Sequence, residues 1–368
     1  MKKIVFITTS RAEFGQFSYF LKNLSNLKNI NLKLLVSGSH LFNKFGNSLD
    51  EIVSSKLTIV KKIKIKNFKQ VDFENIPLIF SKITKVFTLF LKKTKPDFII
   101  LPCDRFEILI FAIISYFMKI PIIHFYGGET SEGSIDNITR NQVSLMAKYH
   151  FVSHENHKKN LIKIGISEKN IFNIGALAYE KIRNTKILSL KQIENKLNIK
   201  LKKPILLVTF HPVTLRDTKV EFKELLIALN KLTNFQIIFT GPNNDPGHKF
   251  IEAEIKKLCK NYPNNFYHFP HLGSELYYSL VKNSFLVMGN SSSLLYEVPY
   301  FKKVSINIGS RQLGRLFGSS IIHLEAKNNL IEKKIKNIKI KNYKFTNPYY
   351  KKNSLRICLN FFKKIILI

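Results

Sequence analysis

Short apolar runs separated by stretches of helical periodicity set the frame of this chain. Lys3–Thr9, Asn31–Ser37, Phe98–Leu101, Ile120–His124 and Tyr149–Val152 read as strands. Lys56–Lys66 alternates, with Ile59, Ile63 and Ile65 among lysines, and predicts an edge strand with a solvated lysine face. Helices are predicted from the loop Ser10–Gly15 to about Leu27, and over about Ile76–Lys93, Glu107–Met118 and Asn137–Lys148. Strands alternating with helices at this spacing imply a doubly wound parallel sheet.

A polar, helical stretch at Gly175–Lys203 interrupts the pattern, which then restarts. Strands are predicted at Ile205–Phe210, Phe235–Thr240, Asn265–Phe269, Phe285–Met288 and Val304–Ile308, with helices at Glu221–Leu232, His248–Lys260 and Gly273–Lys282. Lys327–Lys341 reads as a helix and a connecting strap. We therefore expect two α/β domains, 1–177 and 178–350, and a C-terminal helix over 351–368 that packs back on the body. A length of 368 residues, too long for one core, agrees with that division.

Composition changes the picture in one respect. The chain carries 59 Lys+Arg against 25 Asp+Glu, a formal charge of +34. The basic residues are spread through a Lys-, Ile- and Asn-rich chain, so a compositional bias explains much of this. The functional reading is an anionic partner, and a small anionic substrate is preferred. Nucleic acid is not expected, because no RNP signature, zinc-finger spacing or aromatic–basic stacking pattern occurs. The most membrane-like run, Ile108–Met118, is too short to span a bilayer. Three cysteines without a pairing pattern suggest a reducing compartment. The N-terminus enters a strand at once, so no leader and a cytoplasmic location are expected.

The candidate chemistry lies at the carboxyl ends of strands, where parallel sheets bind ligands. In Phe285–Pro299 an apolar strand breaks at Gly289, and Asn290, Ser291, Ser292 and Ser293 follow before an apolar helical segment. A single Ser there is an ordinary cap; three after Gly-Asn predict a phosphate cradle of small side chains and backbone N–H groups. Glu297 lies near enough on the helix to face the same cavity. Asp104 ends another strand, with Arg105 beside it to orient it. The loop His124–Asp136 holds Gly127-Gly128, Glu129, Glu132 and Asp136, and acids sharing a desolvated site separate in proton affinity. Glu132 is the first of these to be assigned to loop solvation. His211, Asn243, Arg311 and Arg315 are candidate phosphate contacts. His150, His154 and His157 have metal-like spacing, but no acid or Cys completes a set, and no metal is expected. Two facing domains would bring these clusters to a central cleft.

The motifs Ser10-Arg11-Ala12-Glu13-Phe14-Gly15, Asp104-Arg105-Phe106-Glu107 and Gly127-Gly128-Glu129 with Asp136 resemble the hydrolysing UDP-N-acetylglucosamine 2-epimerase family. So do Phe210-His211-Pro212, Asn243-Asn244-Asp245, Gly289–Ser293 with Glu297, and Asn307–Arg315, in family order over roughly residues 1–320. The resemblance implies a GT-B-like architecture of two Rossmann-like parallel-sheet domains about a cleft. It also implies a reaction with no metal or other cofactor. The C2 proton is removed, the nucleoside diphosphate leaves to give a glycal, and water adds from the other face. The products are the free 2-epimer, of N-acetylmannosamine type, and UDP, and the sugar feeds synthesis of sialic or legionaminic acid type. By position, Asp104 and Asp136 match catalytic acids, with Glu129 and His211 beside them. Arg11, Glu13, Asn243, Gly289, Asn290, Ser291, Ser292, Ser293, Glu297, Arg311 and Arg315 match substrate or nucleotide contacts.

Three positions depart from the family. Tyr126 stands where the sialic acid branch has a catalytic Glu, Asn141 where His is usual, and Leu145 where Lys is usual. Tyr126 is a candidate general acid through its phenol. Branches acting on diacetylated bacillosamine nucleotides (UDP- or GDP-linked) also lack that Glu and form the first alternative; a glycosyltransferase or a non-catalytic nucleotide-sugar binder are the others. A homo-oligomer, dimer or tetramer, is the expected state.

Overall fold

Every strand predicted from an apolar run of the sequence is a parallel strand in the computed structural model, which describes residues 1–41, 48–65 and 73–366. The chain divides into two compact units. The first comprises Met1–Thr130, Ile135–Arg183 and Tyr349–Ile368; the second comprises Ser131–Ser134 and Asn184–Pro348.

The first unit holds strands β1 (Lys2–Thr8), β2 (Ile30–Val36), β3 (Ile59–Lys62), β4 (Phe98–Pro102), β5 (Ile122–Phe125), β6 (Tyr149–Val152) and β7 (Ile171–Asn173) in the order 3-2-1-4-5-6-7, all parallel. Alternate residues of β1 go to opposite faces, as a two-sided sheet requires. Ile4 and Phe6 join a core with Phe14, Phe17 and Phe20 of the helix Arg11–Ser25, whereas Val5 and Ile7 join one with Ile83 and Phe87 of the helix Ile76–Thr94. The C-terminal helix Ser354–Ile366 belongs to this unit and buries Cys358, Phe361, Phe362 and Ile365 in the first of these cores. Each such large side chain contributes about 1.5–3 kcal/mol of burial. Leu367 and Ile368 of the predicted helix, and Lys66 of the predicted edge strand, lie outside the described residues.

The second unit repeats the plan with β8 (Ile205–Thr209), β9 (Gln236–Thr240), β10 (Phe266–Phe269), β11 (Leu286–Gly289), β12 (Ser305–Ile308) and β13 (Ile321–Leu324) in the order 10-9-8-11-12-13, again all parallel. Leu206 and Val208 face one core, Ile205 and Leu207 the other.

In both sheets the strand order reverses beside the first strand of the unit, between β1 and β4 and between β8 and β11. Ligands bind at such switch points in open α/β sheets. Two strands were not expected from the sequence, β7 and β13. Both are short outer-edge strands with partly exposed residues, so they lack the continuous apolar run that marks a central strand. The helices Ser48–Ser54 and Glu155–Lys163 were also not expected. No helix among the described residues is long and apolar enough to cross a membrane.

Candidate active site

The loop after β1 closes on itself. The Ser10 side chain accepts from the Glu13 N–H at 3.4 Å, and the Glu13 carboxylate accepts from the Ser10 N–H at 2.9 Å, a reciprocal capping box. Glu13 also accepts from the Thr9 N–H at 2.6 Å and the Thr9 hydroxyl at 2.9 Å. Burial, partly offset by Arg105, pushes its carboxyl up to about 7. Glu13, expected as a substrate contact, is thus held as a helix cap. Arg11, half-buried, is the first residue of that helix.

The turn after β4 is sharper. Cys103 adopts φ 58°, in the left-handed region, at a cost of about 1–2 kcal/mol for a residue with a side chain. Its N–H is satisfied by the Phe125 carbonyl at 3.0 Å. Asp104 follows, next to Arg105. Arg105 makes a two-point pair with Glu107, at 3.1 and 3.2 Å. Asp104 pairs with Arg140, a fully buried guanidinium 36 residues further on. Arg140 also donates to the Glu129 carbonyl at 2.6 Å and to Asn137 at 3.4 Å. Asp136 opens the helix Asp136–Met146 that carries Arg140. One buried cation therefore gathers Asp104, the backbone of Glu129 and the helix of Asp136. An uncompensated buried charge costs several kcal/mol, so the cluster is held together by its own electrostatics. Glu129 is buried, and Glu132, read as a solvated loop acid, is exposed.

Tyr126 lies elsewhere in its environment. It takes φ 65°, its ring packs on Phe17 at 5.3 Å in the core, and its hydroxyl accepts from the Leu177 N–H at 2.9 Å. Burial holds its phenol well above the ordinary value. Its ring lies against Phe17 and Phe125 and its hydroxyl is bonded to a main-chain N–H, the setting of a core residue. Asn141 is half-buried and Leu145 exposed on the Arg140 helix.

In the second unit, Gly289 ends β11 at φ 128°, where a Cβ would lie 1.9 Å from the Thr209 carbonyl oxygen. Asn290, fully buried, clasps the main chain of His211: its Oδ1 accepts from the His211 N–H at 2.6 Å and its Nδ2 donates to the carbonyl at 2.8 Å. The Asn243 N–H donates to His211 Nδ1 at 3.0 Å, which puts the ring hydrogen of the neutral imidazole on Nε2. Arg311 and Gln312 both donate to the Asn290 carbonyl, at 3.3 and 2.7 Å. The structure thus brings together His211, Asn243, Asn290 and Arg311 at the switch point of the second sheet. Ser291 is buried and accepts from the Ser293 N–H at 3.3 Å, and Ser292 is half-buried. The Ser293 hydroxyl lies 2.5 Å from that of Tyr277, and Glu297 accepts from Tyr278 at 2.7 Å. Arg315, half-buried, closes the turn that Gln312 begins. The helix expected here is a single turn, Ser293–Tyr296, because Pro299 enters a 3₁₀ turn directly after it.

Two Rossmann-like parallel sheets, each with its polar cluster at the carboxyl edge, define an α/β protein of GT-B type. Residues 22–362 match the family described as UDP-N-acetylglucosamine 2-epimerase. The chain is 38% identical, over 88% of its length and 84% of the relative's, to the GDP/UDP-N,N'-diacetylbacillosamine 2-epimerase (hydrolyzing) of Campylobacter jejuni. It is 35% identical to the polysialic acid biosynthesis protein P7 of Escherichia coli, over 100% of this chain and 95% of that protein. Among solved structures, the UDP-N-acetylglucosamine 2-epimerase of Neisseria meningitidis bound to its nucleotide sugar superposes with a TM-score of 0.81, at 18% identity, covering 98% of this chain and 100% of that one. The chain belongs to the hydrolysing UDP-N-acetylglucosamine 2-epimerase family and is an enzyme of that type.

Proposed function

We propose that the substrate is UDP-N-acetylglucosamine or a related 2-acetamido sugar nucleotide, converted to the free 2-epimer and UDP. The observation that carries the reading is the buried Arg140, which pairs with Asp104, donates to the main-chain carbonyl of Glu129 and lies on the helix that Asp136 opens, at the carboxyl edge of the first sheet. A desolvated cation favours the ionised form of the carboxylate it pairs with, which suits Asp104 to accept a proton in general acid–base chemistry. Asp104, Glu129 and Asp136 are the groups assigned to the sugar. One of them takes the C2 proton, and the C1–O bond to the diphosphate breaks, leaving a C1=C2 double bond. Water then gives its hydroxyl to C1 while C2 is protonated on the opposite face. The electron pair of the broken C1–O bond leaves with UDP. Arg11, His211, Asn243, the Gly289–Ser293 turn, Glu297, Arg311 and Arg315 are assigned to the nucleotide, the guanidinium and hydroxyl donors to its diphosphate. Glu13 and Tyr126 are left out of the machinery for the reasons given above. We read the protein as cytoplasmic, with three free cysteines in support, and as a homo-oligomer serving synthesis of sialic or legionaminic acid type.

A second substrate reading has its own support. Relatives at 38% and 30% identity are named as diacetylbacillosamine 2-epimerases, and Tyr126 replaces the Glu of the sialic acid branch. A panel assay of nucleoside diphosphate release separates the two. UDP-N-acetylglucosamine should be turned over with no sugar acceptor present, and Asp104→Asn should abolish release. Release only from UDP- or GDP-linked diacetamido sugars would transfer the enzyme to the second reading, and release only with an acceptor would overturn both.

A further inference from the structure

Behind Asp104 lies a polar circuit that the chemistry above does not use. His124 of β5 is fully buried, with Nε2 2.8 Å from the Cys103 carbonyl oxygen and Nδ1 3.1 Å from the Ser144 hydroxyl. That hydroxyl lies 2.9 Å from the Arg140 carbonyl oxygen, and the Arg140 guanidinium pairs with Asp104, the residue after Cys103. The path Cys103–His124–Ser144–Arg140–Asp104 therefore closes on itself. A carbonyl oxygen only accepts, so the Nε2 nitrogen carries the ring hydrogen and a neutral ring leaves Nδ1 an acceptor. Burial lowers the imidazole to about 4, which keeps it neutral near pH 7. The single Ser144 hydrogen then lies between two acceptors, Nδ1 and the Arg140 carbonyl.

We propose that His124 and Ser144 are positioning residues for the reaction: through the Cys103 carbonyl and the main chain of Arg140 they fix both partners of the Asp104–Arg140 pair from behind. The inference rests on the reading that Asp104 works as an acid–base group. Gly127 supports it independently, because a Cβ there would lie 2.6 Å from the Ser144 hydroxyl and 3.0 Å from His124 Nδ1. Only a residue without a side chain leaves the His124–Ser144 contact closed. The left-handed backbone of Cys103 adds a reason for the restraint, since its carbonyl must be held for Asp104 to keep its direction. Other ionisable groups around the circuit are Glu129, Glu13, Cys103 and, on the adjacent strand β6, His150. Loosening the circuit draws Arg140 from Asp104 and lets the carboxylate take a proton more readily.

The test is steady-state kinetics across pH on full-length Ser144→Ala, Gly127→Ala, His124→Leu and His124→Gln, with folding followed by circular dichroism. Ser144→Ala and Gly127→Ala should lower kcat about tenfold or more, leave KM within about threefold, and move the acidic limb of the kcat profile upward by about half a pH unit. His124→Gln, which can still offer an N–H to the Cys103 carbonyl, should recover a large part of what His124→Leu loses. If His124→Leu does not fold, the Ser144 and Gly127 variants decide. An unmoved acidic limb, with activity tracking only the folded fraction, overturns the positioning role. Asp104→Asn is the control for the underlying reading: were it active, that reading would fail; inactive Asp104→Asn with unmoved profiles would sink the circuit alone.

Discussion

Gly289→Ala tests how the second sheet builds its switch point. Gly289 pairs in register with Thr209 of β8, and the Thr209 carbonyl accepts from the Asn290 N–H at 3.0 Å. A methyl group at 289 would stand 1.9 Å from that oxygen and 2.7 Å from its carbon. These are backbone atoms of a central strand, so relief requires β8 and β11 to separate. Three costs enter: a side chain at φ 128°, about 1–2 kcal/mol; overpacking, about 1–3 kcal/mol; and the weakened Asn290 bond, about 1 kcal/mol. They overlap, and a net loss of roughly 3–5 kcal/mol follows, or roughly 6–20 °C in Tm for a unit of this size. Gly273→Ala is the matched control, with φ 65° but nothing within 4 Å of the added atom. It should lose only about 1 kcal/mol of backbone strain, about 2–4 °C. Differential scanning calorimetry of the two variants reads the difference. Equal shifts, or Gly289→Ala within about 2 °C of the parent, would refute the close approach.

Asp104→Asn and Asp136→Asn should each lower kcat by about 10²–10⁴ while UDP binds as before, checked by UDP release and titration calorimetry. Tyr126→Phe should keep near-parental activity and lose about 1 kcal/mol in urea unfolding with the Leu177 bond; inactivity of the folded variant would reinstate the phenol as an acid. His150 is buried in β6 and held at about 3, below its ordinary 6.5. Its stabilising contribution is therefore present above pH 6.5 and lost as pH falls toward 3. The parent should lose about 2 kcal/mol more than His150→Leu between pH 7 and 5, read from urea unfolding at each pH; parallel curves would mean that the imidazole takes up its proton alike in the folded and unfolded chains.

The central strands were legible because both faces of a parallel strand are apolar, and Ile-Val-Phe-Ile or Phe-Leu-Val-Met admits little else. β7 and β13 were not, because both are short and partly exposed and lack that apolar run. Asp104 was visible as an acid at a strand end, with the neighbour Arg105 read as orienting it. Arg105 pairs with Glu107, and the pair of Asp104 with Arg140 spans 36 residues, a distance that sequence neighbourhood does not report. The Gly-Asn-Ser-Ser-Ser turn was visible, but not that Asn290 would spend its amide on the His211 main chain. For Glu13 and Tyr126 the sequence left the local geometry unseen. A capping carboxylate and a phenol turned inward at φ 65° carry the same letters as residues that face a ligand.

The central claim is tested most directly by a proton NMR time course with UDP-N-acetylglucosamine in deuterated water. The account predicts a free 2-acetamido sugar of inverted C2 configuration, carrying deuterium at C2, released together with UDP. A free sugar that keeps its C2 proton and configuration, or an epimer still attached to UDP, would contradict it.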